Sequence, residues 1–139
     1  MGGNVPRKGG WNMPYSIAAR PSQGVLTICV EGRWPSADPD SIIDEIFGLW
    51  KKEGRGSLLV DLRAMDDEPT ISGDFWLAKA FAERGYHSVG GIAVLDRVER
   101  KDANDFFSLA SWNRGLRFCF FYESEREALE WLRSSGEDG

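Results

Sequence analysis

The chain is poor in the residues that most often carry chemistry. It has one histidine, His87, and two cysteines, Cys29 and Cys119. These cannot build a four-ligand structural zinc site unaided. Each cysteine sits inside an apolar run, which fits a reduced, buried thiol in a cytoplasmic protein rather than a disulfide framework. His87 lies between Gly85 and Gly90, ahead of the next apolar run. In an open α/β sheet, ligands gather at the opposite strand ends, so His87 is badly placed for a general base. No serine–histidine–aspartate or cysteine–histidine pairing follows from it.

Other absences narrow the function further. There is no phosphate loop ending in Lys-Ser or Lys-Thr, no Gly-x-Gly-x-x-Gly opening a helix and no Gly-x-Ser-x-Gly elbow. The Gly90-Gly91 pair precedes a strand, the wrong side for cradling phosphate. No apolar run approaches the length of a membrane-spanning helix, and residues 1–14 lack the apolar core of a secretory signal. Basic residues number 17 against 22 acidic ones, a net charge of −5, which disfavours nucleic acid as a partner. No cofactor is implied.

What remains is an ordinary globular composition, 42% hydrophobic and 28% charged over 139 residues, which suits one domain. We expect a disordered leader over 1–14, a folded domain over 15–133 and a flexible tail over 134–139. Tyr15 to Arg20 and Val25 to Glu31 read as an antiparallel hairpin around Pro21–Gly24. Asp38-Pro39 then starts a helix bearing Ile43, Ile46, Phe47 and Trp50, which Gly54 and Gly56 stop. Leu58-Leu59-Val60 is a continuous apolar run, as in a strand covered on both faces, and Asp61 is expected to end it. A helix from about Gly73 to Arg84 follows. After it come a strand to Asp96, a mostly basic loop Arg97–Lys101 and a helix from Asp102 to Asn113. The last strand is Arg117–Tyr122, and Ser124 with Glu127 forms a capping box for the final helix. The fold class expected is therefore α/β, in the order β-β-α-β-α-β-α-β-α. A single open mixed sheet of five strands has strands two to five parallel, an antiparallel edge hairpin and helices covering it.

Candidate site residues cluster at the strand ends where such sheets meet ligands. Arg33, Trp34, Asp61, Arg63, Ser72 and Arg97 are the ones expected there. Trp34, beside Arg33 and Pro35, is either an exposed contact or a cover for the core edge. Trp50, Trp76, Trp112 and Trp131 are expected as packing residues. Ser72 is either a plain helix cap or a phosphorylation site, where the helix N-terminus tolerates the added charge. Asp61, Asp66, Asp67 and Glu68 form a solvated acidic loop or, alternatively, a hard-cation site serving an enzyme. Phe75, Phe81, Phe106 and Phe107 fill core or, alternatively, line a pocket for an apolar small molecule or lipid. Exposed aromatics such as Trp34 also leave room for a homodimer.

The order of elements, the run Leu59-Val-Asp-Leu-Arg63 leading to Ser72-Gly73, and the ending Phe120-Phe-Tyr-Glu-Ser-Glu-Arg-Glu-Ala-Leu-Glu-Trp-Leu132 resemble the SpoIIAA-like (STAS-like) family of small bacterial proteins. The resemblance spans about Tyr15 to Leu132. It implies a winding βα sheet and a non-enzymatic regulatory role, exerted on a protein partner. In the anti-anti-sigma members a strand ending in Asp-Leu-Ser leads to Asp-Ser-Ser-Gly, where a partner kinase phosphorylates a serine. Here Asp61-Leu-Arg63 matches the first part, and only Ser72-Gly73 of Pro69-Thr-Ile-Ser-Gly73 matches the second, after a longer loop. The pattern is nearer to the less characterised branch related in topology to lipid-binding Sec14-like domains.

Overall fold

Alternating burial along the strands explains the architecture. Leu58 and Val60 join one apolar cluster with Ile92, Val94 and Phe118, while Leu59 joins another with Ala93 and Leu95. Successive strand side chains point to opposite faces, so both faces of the central strands are covered. In this computed structural model, residues 15–22, 24–33, 40–53, 56–66, 82–83, 85–86, 89–112 and 115–138 are described.

The elements are β1 (Tyr15–Ser22), β2 (Val25–Gly32), α1 (Asp40–Lys52), β3 (Ser57–Met65), β4 (Ile92–Leu95), a 3-10 turn (Val98–Arg100), α2 (Lys101–Trp112), β5 (Phe118–Phe121) and α3 (Glu125–Asp138). They form one sheet of five strands in the order β1-β2-β3-β4-β5. β1 and β2 are antiparallel, and every later pair is parallel. This is the mixed sheet expected from the sequence. The helix expected over 73–84 lies largely outside the described residues; Ala82 and Glu83 are helical.

α1 buries Ile42, Ile43, Ile46 and Trp50 on the same face of the sheet to which α2 contributes Phe107 and Ala110. α3 lies on the other face and buries Ala128 and Leu132. The Glu127 N–H donates to Ser124 Oγ at 3.3 Å, so the expected cap of α3 is present. β2 and β3 start close together. The Ser57 N–H donates to the Gly24 carbonyl at 2.9 Å. A Cβ on Gly56 would come within 1.9 Å of that same oxygen, so position 56 admits no side chain while the strands keep this spacing. Trp50 Nε1 closes the corner by donating to the Gly56 carbonyl at 2.6 Å.

Three expectations need correction. β3 does not end at Asp61 but runs on to Met65, because β2 continues beside it until Gly32 meets Met65 across an irregularity between Cys29 and Glu31. The basic Arg97–Lys101 segment is a 3-10 turn feeding directly into α2, and its Arg100 is buried. Trp112 is not a core residue: it is 58% exposed.

Candidate functional site

α3 shields only part of its face of the sheet. It packs on Leu59, Ala93 and Leu95, while toward the C-terminal ends of β2 and β3 Glu31 and Arg63 are exposed and Cys29 and Asp61 half-buried. Cys29 of β2 stands opposite Asp61 of β3. A shallow groove of about 320 Å³ lies there, lined by Cys29, Val30, Glu31, Asp61, Arg63 and Ala64.

Asp61 and Arg63 are two residues apart on one strand and therefore share a face. The guanidinium folds back onto the carboxylate as a fork: Nε donates to Oδ1 at 2.9 Å and Nη2 to Oδ2 at 2.8 Å. The Arg63 N–H also donates to Oδ1 at 3.0 Å. Half-burial pushes the Asp61 carboxyl up, but the hydrogen bonds and charge of Arg63 outweigh it and hold it below the usual carboxylate value. Arg63 is pushed up in turn, first by its bond to Asp61. Burial and then the Asp61 charge push the Cys29 thiol up, so little thiolate is available there. The Cys119 thiol is pushed up by burial. At the margin of this face Arg20 of β1 reaches Glu125 of α3 at 3.5 Å.

A second carboxylate–guanidinium pair lies just beyond, at the end of β4. Asp96 is buried and accepts three bonds: from the Arg97 N–H at 2.8 Å, from Arg100 Nη1 at 2.7 Å and from Asn104 Nδ2 at 2.9 Å. Its own N–H donates to the Phe121 carbonyl at 3.0 Å. Arg100 also donates to the Leu62 carbonyl at 3.3 Å and the Met65 carbonyl at 2.6 Å. The Arg97 side chain bonds the same Met65 carbonyl. One network thus ties the ends of β3, β4 and β5 to the start of α2, and it holds the strand that displays Asp61 and Arg63.

Of the residues expected at the site, Asp61 and Arg63 meet each other directly. Arg97 anchors the end of β3, and its surroundings are exposed. Arg33 is exposed and follows Gly32, whose carbonyl accepts from the Asp66 N–H at 2.6 Å, so Arg33 stands at that same end. Trp34 and Ser72 lie outside the described residues, as do Trp76 and His87. No group of three or more His, Cys, Asp or Glu side chains converges among the described residues; Asp67 and Glu68 fall outside them. The aromatic pocket expected from Phe75, Phe81, Phe106 and Phe107 also falls mostly outside, and Phe107 itself packs edge-on against Phe118 and Phe120. Among the described residues no helix is long and apolar enough to cross a membrane.

Sequence reasoning missed the Asp96–Arg100–Asn104 network. Its signal was a carboxylate closing an apolar run just ahead of a helix start, with Arg100 and Asn104 following at four-residue spacing, so that the latter two share the side of the helix start that can reach it. Cys29 and Glu31 were missed as site neighbours because parallel register depends on how α1 carries the chain back, which β2 and β3 alone do not reveal.

No protein-family model matches this sequence, and no curated protein does either. Solved structures do. An anti-sigma factor antagonist from Mycobacterium paratuberculosis superposes with a TM-score of 0.59 at 18% identity, covering 86% of this chain and 94% of that one. An uncharacterised protein of the DUF3478 family with a SpoIIAA-like fold, from Shewanella loihica, gives a TM-score of 0.55 at 19% identity, covering 85% of this chain and 93% of that one. At this identity the likeness establishes the fold: the chain has the SpoIIAA-like fold.

Proposed function

We propose that this chain is a STAS-like regulatory module, non-enzymatic and cytoplasmic, that binds a protein partner of the anti-sigma type. The contact surface is the open end of β2 and β3: Arg33, Asp61 and Arg63, with Arg97 at its border; Trp34, next to Arg33 in the sequence, is proposed to act with them. The observation that carries the reading is the Asp61–Arg63 fork on a sheet face that α3 leaves uncovered. It is a planar, two-signed polar surface on a rigid strand, suited to pairing with charged side chains of another protein. The likeness to an anti-sigma factor antagonist supports the choice of partner class.

Phosphorylation of Ser72 is proposed as the gate, by analogy with the serine that the family resemblance marks. The added charge, at the start of the helix expected from Gly73, would change what the partner meets without requiring the domain to unfold. The experiment is calorimetric titration of the purified chain with a purified kinase-type anti-sigma factor from the same genome. Wild type and Ser72→Ala should bind, and Ser72→Asp should lose most of the affinity. Failure of all three to bind would overturn the regulatory reading. Equal binding by all three would overturn the gate alone.

A further inference from the structure

The two edges of the sheet are unlike. β1 borders one edge and carries Arg20 and Pro21, a charge and a residue without an N–H, both common protections against edge pairing. Among the described residues β5 borders the other, and Phe118-Cys-Phe-Phe121 has neither. The Arg117 and Phe121 carbonyls accept from the Ile92 and Asp96 N–H groups at 2.9 and 3.0 Å. Odd positions of β5 therefore turn their backbone groups toward β4, and Phe120 turns its own toward the free edge. Along that edge runs a groove of about 440 Å³, lined by α2 on one face (Lys101, Asp105, Ser108, Trp112) and by Trp131 of α3 on the other. The exposed large apolar side chains among the described residues include Trp112, in this groove, and Leu109, less than one turn earlier on α2 at 63% exposure.

We propose that this edge is a homodimer interface, in which β5 of a second copy pairs antiparallel with β5 about a two-fold axis at Phe120. Three observations select a second copy as the occupant. First, the register centred on Phe120 sets Arg117, exposed at the start of one strand, against exposed Glu123 just past the end of the other, so opposite charges meet twice. Second, α2 packs on β5, where Phe107 meets Phe118 and Phe120 edge-on, so continuing the sheet brings the two copies of α2 side by side across the new strand pair. Third, the groove-facing side of α2 has small Ser108 near its middle, which permits that approach. It brings Trp112 of each copy over the Lys101–Asp105 pair of the other, itself closed at 3.0 Å. The indole is then covered and Lys101 gains an aromatic face. This interface lies away from the open end of β2 and β3, so it stands or falls independently of the partner proposed above.

The test is sedimentation equilibrium of the full chain over a wide concentration range. Wild type should dimerise with concentration. Trp112→Glu and Arg117→Glu, both at exposed positions, should be monomeric with an unchanged circular dichroism spectrum. The double variant Arg117→Glu with Glu123→Arg should dimerise again, which a merely structural role for either residue would not produce. A wild-type chain that stays monomeric to its solubility limit overturns the proposal, including when the edge instead takes up an extended peptide from another protein. A dimer indifferent to both single substitutions overturns it as well.

Discussion

Two aspartate–arginine pairs, one within β3 and one just past the end of neighbouring β4, have almost the same separation and opposite surroundings. Asp61 and Arg63 meet at 2.8 Å with side chains 18% and 44% exposed. Asp96 and Arg100 meet at 2.7 Å with side chains 3% and 8% exposed. Distance does not distinguish them; burial and further partners do. In the buried pair the charge has left water and must be matched, and Asn104 and the Met65 carbonyl complete the match. In the exposed pair both ions keep water, so the contact adds little to stability and remains available to another molecule. The buried pair holds the end of β3; the open pair is what β3 displays.

The sharpest way to break this contrast is Arg100→Leu. It strands the Asp96 carboxylate in the interior and should lower stability by about 3–5 kcal/mol in urea unfolding. Asn104→Ala removes one bond to the same carboxylate and should cost about 1–3 kcal/mol. Arg63→Ala, with the same kind of ion pair removed, should cost only about 0.2–1 kcal/mol. A loss at Arg63 equal to that at Arg100 would mean the two pairs are not different in kind.

Acid sharpens the comparison from the other side. Arg63 holds the folded Asp61 carboxyl below its ordinary value, so the folded state binds that proton less readily than the unfolded chain. Its contribution is therefore complete above the ordinary carboxylate range and lost as pH falls through the depressed folded value. Asp61→Asn should remove that contribution, lowering stability slightly at neutral pH, and its stability–pH curve should meet that of wild type at the acid end. The smallest expected effect concerns Cys29. Its thiol is pushed up by burial and then by Asp61, so alkylation near neutral pH should be slow, and Asp61→Asn should speed it modestly.

The contrast also explains what could be read before the fold was known. The apolar runs of β2, β3, β4 and β5 and the Ser124 cap are local, and local pattern is enough to place them and to order the sheet. Asp61 looked like the end of a strand because a charge interrupts Leu58-Leu59-Val60. It is instead an outward position on a face that α3 leaves open, and strand length there is set by β2 alongside. Arg100 looked like part of a solvated basic loop. Its burial depends on carbonyls at Leu62 and Met65, more than thirty residues away, which no local window contains. Trp112 carries the same lesson in reverse: helical spacing identified its helix but not that its side faces the free edge of β5.

The central claim is that the open pair is for recognition and the buried pair is for the fold. The most direct measurement sets partner affinity beside unfolding free energy for Arg63→Glu, titrated against the anti-sigma-type protein. The account predicts that Arg63→Glu abolishes detectable binding while its unfolding free energy stays within about 1 kcal/mol of wild type. Binding that survives the charge reversal, or a loss of stability as large as that of Arg100→Leu, would contradict it.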